Sequence, residues 1–461
     1  MYKKSVLLAA LGAACVLPYA SAADDKELAA IRAQIQEMKQ SYDARMQALE
    51  QRLQEAQAAV AQAQNAAAEA QQAAPAAATP APAPSAPAPA ANAFNPNISM
   101  VLGGSFSRLS QDPANYRLQG FMPPQGEVGP GQRSFNLGES ELTLAANIDP
   151  LFAGQLTFAL SAENEVAVEE AYVQTRALGG GFNLKAGRFL SGIGYLNGRH
   201  AHTWDFADAP LGYQAFFGGQ YKPDGVQARW LAPTDTFIEV GAELGNGRSF
   251  PGNDRNKNGI GAGSVFVHAG DDIGSSASWR AGLSMLRTGS TDRAFGDDGL
   301  PAAFGGHSTL AMADAVYKWA PNGDPSRQNL TLQAEYLRRK ETGELSSAGL
   351  ADYFRSTQSG WYAQGVYQFL PGWRSGVRYD RLRSGSPQIG LVDSGVLGAD
   401  AFPVLAPFSP TRTSLMFDYS PSEFSRLRLQ LARERSQPGV TDNQVILQYI
   451  MSLGTHAAHA F

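Results

Sequence analysis

NQVILQYIMSLGTHAAHAF, residues 443–461, ends the chain and alternates apolar with polar side chains before a final aromatic residue. Five apolar residues share one parity, which Phe461 keeps: Val445, Leu447, Tyr449, Met451 and Leu453. Successive side chains of a strand point to opposite faces, so the pattern predicts a strand with one apolar face. Two interpretations compete. The segment is the last strand of a membrane barrel, with Phe461 as its terminal assembly signal, or its two histidines form a metal site.

Residues 1–22 have the organisation of a secretory signal peptide. Two lysines precede a short apolar run, and Ala20-Ser21-Ala22 provides a small-residue cleavage site. Cys15 is the single cysteine, so the mature chain is expected to carry neither a disulfide nor a cysteine nucleophile. No second stretch of the sequence resembles a membrane helix, so a membrane location would require a barrel.

Residues 23–73 predict a periplasmic coiled coil. From Leu28 to Ala70 the apolar residues recur at spacings of three and four, which is the seam of a coiled coil. One narrow stripe cannot bury itself, so we expect self-association, and peptidoglycan or a periplasmic protein is a candidate partner for the rod. Residues 74–93 read APAAATPAPAPSAPAPAANA, a Pro/Ala-rich linker that is extended and semi-rigid.

Residues 94–461 follow a different pattern, in which short alternating segments such as NLTLQAEYL and SRLRLQLA are separated by connections of two kinds. Short turns such as ALGGG and LPGW alternate with loops rich in Gly, Asp and Pro, and we count sixteen strands, seven turns and eight loops. This pattern predicts an all-β fold, a transmembrane antiparallel β-barrel of the outer membrane. A soluble sandwich or propeller is the alternative, but it does not require the asymmetry between turns and loops.

A sixteen-stranded barrel is wide enough to leave an aqueous channel. Acidic residues concentrate in the first half of the barrel sequence and arginines in the second half, so we expect two opposed walls and a transverse field across the lumen. The candidate lining residues on the acidic wall include Glu139 and Glu141. Those on the basic wall are Arg374, Arg378, Arg412, Arg426 and Arg428.

The loop at residues 190–224 is the longest, and it is rich in aromatic residues. So much aromatic surface needs cover, and folding into the barrel mouth would provide it. The loop would then set the narrowest point of the pore, with Asp205, Asp208 and His202 as candidate lining groups. On this hypothesis, deleting the loop raises the single-channel conductance several-fold.

Four of the six histidines form two short motifs, His200-x-His202 and His456-x-x-His459. Closely spaced imidazoles can share a zinc ion, although a structural site requires four ligands and a catalytic site three. The order of the strands places the two pairs at opposite rims of the barrel. Asp205 and Asp208 are the residues that could join the first pair.

The sequence offers little for catalysis or for nucleic-acid binding. G-x-S-x-G and phosphate-binding glycine motifs are absent, so we expect neither enzymatic activity nor a cofactor. The formal net charge of −5 and the lack of a basic block exclude nucleic acid as an expected partner. The expected partners are outer-membrane lipid and small hydrophilic solutes or ions.

GRFLSGIGYLN, which follows EEAYVQT by one strand, resembles the phosphate-selective and dicarboxylate-type outer-membrane porins. That resemblance implies trimers of sixteen-stranded barrels, in which an N-terminal coiled coil can occur. FNLGESELTLAANID and MSLGTHAAHAF are similar to a set of proteobacterial outer-membrane proteins labelled porins, TonB-dependent receptors or zinc-regulated proteins. Residues 94–461 cannot supply a plug domain and a 22-stranded barrel, so the TonB-dependent label does not fit the length.

The sequence therefore predicts an outer-membrane porin, a passive diffusion channel that forms a homotrimer. Two other functions stay open. In one, the barrel chiefly anchors the coiled coil as a periplasmic tether. In the other, the protein takes part in zinc-linked uptake.

Overall fold

A computed structural model of the chain describes residues 96–124, 128–161, 165–176, 178–253, 257–295 and 301–454. The predicted signal peptide, coiled coil and Pro/Ala linker lie outside these residues. So do His456, His459 and Phe461, whose predicted roles stay predictions.

The described residues form one antiparallel sheet that closes on itself, because the first strand pairs with the last. The strands are β1 Asn97–Leu109, β2 Ser134–Leu137, β3 Ser140–Asn147, β4 Phe152–Leu160, β5 Val166–Thr175, β6 Phe182–Arg188, β7 Asp224–Leu231, β8 Phe237–Gly245, β9 Ala262–Ile273, β10 Ala277–Phe295, β11 Ala302–Trp319, β12 Asn329–Ser347, β13 Leu350–Leu370, β14 Trp373–Arg383, β15 Gln388–Ile389, β16 Thr411–Ser422, β17 Ser425–Arg435 and β18 Asp442–Gly454.

The barrel itself has sixteen strands. β2 and β3 both pair with β1 and act as one barrel strand that is interrupted at Gly138 and Glu139. β15 is a two-residue strand within a loop and pairs only with β13 among the described strands. The predicted sixteen-stranded antiparallel barrel is therefore confirmed.

The two rims of the barrel differ as the turn pattern predicts. Seven short turns lie on one rim, for example residues 371–372 between β13 and β14. The opposite rim carries eight connections, of which loop L1 (residues 110–133), loop L3 (residues 189–223) and loop L7 (residues 384–410) are the longest. Loop L3 is the long aromatic loop singled out in the sequence.

Strand parity separates an outer apolar face from an inner polar one, as the period of a strand requires. On β17, Leu427, Leu429 and Leu431 are exposed on the outside, while the side chains of Arg428 and Gln430 are buried inside. The same alternation holds on β12 and β18. In β18 the outward residues Val445, Leu447, Tyr449 and Leu453 are all exposed. An apolar outer surface around a polar interior is the arrangement of transmembrane barrels.

Loops L1, L3 and L7 fold inward and fill much of the interior. Loop L3 contains helix α1 (Leu211–Phe217), every residue of which is buried. Phe121 of loop L1 packs on Phe216 of α1 with ring centroids 5.8 Å apart. Loop L7 contains helix α2 (Gly390–Asp393) and covers the loop-rim end of β10–β13. Within the described part of the chain, no helix is long and apolar enough to cross a membrane.

The wall of the barrel is uneven in height. The strands β10–β13 contain 18 to 21 residues each, whereas β6 contains seven. The tall strands surround the part of the lumen that loops L1 and L7 fill. The short strands β3–β8 lie on the other side of the barrel.

A pair of cysteine variants tests the assignment of inside and outside. Gln448 lines the lumen, whereas its neighbour Leu447 is 49% exposed on the outer face. In membranes we expect a charged, water-soluble thiol reagent to label Gln448→Cys and to leave Leu447→Cys unlabelled, because the latter thiol lies in lipid. Labelling of both variants to the same extent would contradict the assignment.

Candidate functional site

A cavity lies beside loop L3. It has a volume of about 1410 Å³. Residues of β1 and β18 line one side of it, namely Gly103, Ser105, Ser107, Ile446, Gln448 and Ile450. His202, Trp204, Ala207 and Asp208 of loop L3 line the other side. The cavity extends from the loop rim of the barrel to Gly103 of β1 and Ile450 of β18.

Loop L3 is held inside the barrel by carboxylates that accept hydrogen bonds from its backbone. Glu335 of β12 accepts from the N–H groups of Tyr195 and Leu196, at 3.1 and 2.8 Å. Glu243 of β8 accepts from the N–H of Gly192 at 2.8 Å. A buried backbone donor without a partner would destabilise the fold, so these bonds permit an irregular loop to lie in the lumen.

Helix α1 is anchored in the same way. Pro210 precedes the helix, and Gly218 ends it in the left-handed conformation at φ 66°, which a glycine adopts without strain. The N–H of Leu211 donates to Asp380 of β14 at 2.9 Å. A carboxylate at this end also meets the unpaired N–H groups of the first helical turn.

One flank of loop L3 is bound by the arginine wall. Asp208 forms ion pairs with Arg378 at 2.6 Å and with Arg412 at 2.8 Å, and both arginine side chains are buried. Asp205 forms an ion pair with Arg374 at 2.9 Å. Backbone carbonyls of the loop accept further guanidinium donors, as in the bond from Arg428 to Trp204 at 2.7 Å. Arg426 similarly donates to the carbonyl of His202.

Acidic residues on the same strands complete the charge balance of the arginine wall. Asp418 lies opposite Arg374 on one neighbouring strand and opposite Arg428 on the other, and it forms ion pairs with both. Asp380 and Glu434 similarly lie opposite Arg412. Four of the five arginines therefore form ion pairs with five carboxylates, those of Asp205, Asp208, Asp380, Asp418 and Glu434.

The other flank of loop L3 faces the acidic wall through histidines. His202 Nδ1 lies 2.8 Å from Glu141 Oε1, and His200 Nδ1 lies 3.2 Å from Glu141 Oε2. The same His200 nitrogen is 3.2 Å from Glu169, while its Nε2 is 3.1 Å from Glu170. Burial lowers the pKa of His200, but these hydrogen bonds outweigh burial and raise the pKa well above its usual value.

A β-bulge brings two consecutive carboxylates to this face. In the pairing of β4 with β5, Thr157 lies opposite Glu170 and Phe158 opposite Val168, so Glu169 is the extra residue. A regular strand would point Glu169 and Glu170 to opposite faces, whereas a bulge re-aims a side chain. Both carboxylates are buried in the interior.

The five predicted arginines therefore do not line the cavity; they hold loop L3 in place. The two charged walls exist, but loop L3 lies between them, so the structure does not show the open transverse field that the sequence suggested. Asp205 and Asp208 bind the arginines and are not partners of the histidines. Glu139, His202 and Asp208 do line the cavity.

Several residues of the site were not singled out in the sequence. Four of them lie at inward-facing positions of their strands, so the alternation of each strand could have identified them from the sequence. They are Glu335, Asp380, Asp418 and Glu434. Glu169 and Glu170 belong to the acidic wall that the sequence predicts, but strand parity alone would turn them to opposite faces; the bulge brings both inward.

Asp208→Asn tests the ion pairs on the arginine flank. The change removes the negative charge that Arg378 and Arg412 share, and breaking a buried pair costs about 3 kcal/mol. We expect a lower unfolding midpoint, measured as the temperature at which the folded band disappears on a semi-native gel. Asp400→Asn, at an exposed position of loop L7, is the matched control and should leave the midpoint unchanged.

The difference in unfolding midpoint between wild type and Asp208→Asn should depend on pH, because it follows the ionisation of Asp208. Burial raises that pKa, but the charges of Arg412 and Arg378 outweigh it and lower the pKa to about 2. A lowered folded-state pKa stabilises the protein fully above the unfolded pKa of about 4, and the stabilisation is lost as the pH falls towards 2. Wild type and Asp208→Asn should therefore converge at low pH. A constant difference across this range would contradict the ion-pair assignment.

No family model matches the chain. It is similar to solved structures of OmpT of Vibrio cholerae in its loop L8 deletion form (TM-score 0.49, 11% identity, 78% of this chain and 99% of that chain). It is also similar to the outer membrane channel DcaP of Acinetobacter baumannii (TM-score 0.48, 15% identity, 78% and 97%). A curated protein of Aquifex aeolicus (strain VF5), described as uncharacterized, is 32% identical over 396 residues, which cover 80% of each chain. At that identity and coverage, the chain belongs to the same family as the Aquifex aeolicus protein.

Proposed function

We propose that this protein is an outer-membrane porin, a passive channel for small hydrophilic solutes or ions. The observation that carries the proposal is the cavity of about 1410 Å³ between loop L3 and the wall formed by β1 and β18. Its lining combines serine, glycine and glutamine with charged groups of both signs, among them Glu139, Glu165 and Arg248. Such a lining suits water and hydrated solutes.

The outer surface supports the proposed location. Outward residues on β17 and β18 include leucine, valine and tyrosine, whereas the inward positions include arginine and glutamine as well as Ile446 and Ile450. The rings of Trp373 and Tyr419 stack near the turn rim with centroids 4.4 Å apart. Aromatic residues at a rim are typical of barrels that sit in a membrane with their girdles at the interfaces.

Loop L3 is the constriction in this proposal. It is bound on both flanks and fills the centre of the lumen, so solutes pass beside it. The path is narrower than the barrel alone would allow, since loops L1 and L7 occupy part of the remaining volume. No energy source and no catalytic step enter the proposal.

Single-channel recording in a planar bilayer tests the channel. We expect ohmic openings from wild type and a clearly reduced conductance from Ser105→Trp, because Ser105 lines the cavity and a large indole would narrow it. Phe106→Trp is the matched control, since Phe106 is the neighbouring outward residue. It should conduct like wild type.

A silent bilayer from folded wild-type protein would contradict the channel, and the periplasmic tether would then become the better candidate. Equal conductance of wild type and Ser105→Trp would place the path elsewhere in the barrel. A salt gradient in the same experiment gives a reversal potential, from which the ion selectivity follows.

We also propose that the barrel works as a homotrimer in which the short wall faces neighbouring subunits. At about 3.3 Å per residue and a tilt of about 40°, the seven residues of β6 rise only about 18 Å, less than the apolar band of about 25 Å. The tall strands β10–β13 exceed that height. A protein neighbour would cover the short wall more completely than lipid does.

Substitutions on the two walls test this arrangement. Leu184 on β6 and Leu283 on β10 are outward residues, 48% and 61% exposed. We expect Leu184→Asn to convert an oligomer band to monomer on a semi-native gel, because it places an unpaired amide in the interface. Leu283→Asn should retain the oligomer. The reverse result would assign the interface to the tall wall, and a monomeric wild type would refute the trimer.

A further inference from the structure

The two flanks of loop L3 differ in charge balance. On the arginine flank, four of the five guanidinium groups form ion pairs with five carboxylates, and the fifth, that of Arg426, donates to the carbonyl of His202. On the other flank, four carboxylates meet two lysines and two imidazoles. The carboxylates are those of Glu139, Glu141, Glu169 and Glu170. Lys222 is 3.3 Å from Glu169, and Lys185 lies over the ring of Tyr172 at 4.0 Å.

The three carboxylates of Glu141, Glu169 and Glu170 are almost fully buried, with side chains 2%, 1% and 6% exposed. Buried charges require a partner of opposite sign. A bound cation would be a partner of that kind.

The donor atoms of this flank converge on one point. The Nδ1 atoms of His200 and His202 both face the carboxylate of Glu141, at 3.2 and 2.8 Å. Ligand atoms of these three residues all lie within 4.8 Å of one another, and Glu169 adds a fourth oxygen 3.2 Å from His200 Nδ1. Ligands of a tetrahedral ion at about 2.1 Å lie roughly 3.4 Å apart, so only small movements would admit one.

Glu170 occupies the position of an orienting partner. It lies 3.1 Å from Nε2 of His200, the nitrogen that points away from Glu141. Histidine ligands of metals almost always donate their second N–H to a carboxylate or carbonyl, which fixes the tautomer and the ring orientation. The bulge in β5 supplies both this residue and the adjacent Glu169.

We propose that Glu141, Glu169, His200 and His202 form a binding site for a divalent transition-metal ion such as Zn²⁺, with Glu170 as the orienting residue. Imidazole ligands favour such ions over Ca²⁺ or Mg²⁺, which take oxygen ligands. His202 lines the cavity, so an ion reaches the site from the channel. Once bound, the ion joins loop L3 to β3 and β5.

Calorimetric titration of the purified full-length protein with ZnCl₂ tests the site. The protein carries no affinity tag and has His456→Ala and His459→Ala, so that the C-terminal pair does not contribute. We expect one ion per chain with a Kd below about 0.1 mM. The double variant His200→Gln/His202→Gln should not bind Zn²⁺. Glu170→Gln should bind Zn²⁺ roughly tenfold more weakly, as expected for the loss of an orienting partner.

His268→Gln is the matched control, because His268 lies 3.1 Å from Glu239 on another part of the wall. It should bind Zn²⁺ like the parent protein. The visible absorption spectrum of bound Co²⁺ gives a second measurement, which reports the nitrogen and oxygen ligands directly. A folded band on an unheated gel shows that each variant folds. Unchanged binding in the double histidine variant, or a parent Kd weaker than about 0.1 mM, would overturn the proposal.

The test is independent of transport. Zn²⁺ binding in a protein that does not conduct would support the metal site and refute the channel. Conductance without Zn²⁺ binding would support the channel and refute the metal site.

Discussion

The interior of this barrel depends on charge pairing along both flanks of loop L3. A barrel of sixteen strands is too wide for wall side chains to fill, so some other element has to occupy its centre. An irregular segment can do so only if its backbone groups and its charges find partners. Here the wall provides them, with Glu243 and Glu335 for the backbone, arginines for Asp205 and Asp208, and carboxylates for the histidines.

The same pairing decides where water can pass. Arginines suit the sealed flank because the planar guanidinium binds a carboxylate and a carbonyl at once, as Arg378 does with the side chain and backbone of Asp208. Filling that side leaves the cavity next to β1 and β18. In the proposed channel, solutes would therefore pass the imidazole of His202, and not the five arginines that bind loop L3.

Much of the fold could be predicted because it follows from local rules. The period of two in segments such as residues 425–435 assigns each side chain to a face, and the difference between turns and loops gives the strand number and the rim. The aromatic content of residues 190–224 indicated an inward fold. The pairing inside the lumen could not be predicted, since contacts such as Asp208 with Arg412 join distant parts of the sequence. The bulge at Glu169 changes the facing of one residue, and no period in the sequence reveals it.

Hydrogen exchange of the backbone amides in loop L3 tests whether the pairing with the wall fixes the loop inside the barrel. The N–H groups of Leu190, Gly192 and Leu196 donate to buried carboxylates of three different strands, Glu170, Glu243 and Glu335. If loop L3 is a fixed internal element, these amides exchange as slowly as those of the strands β12 and β17 in the same folded protein. Exchange at the rate of an unstructured peptide would show that the loop moves freely, and the account of an offset, loop-bounded channel would then be wrong.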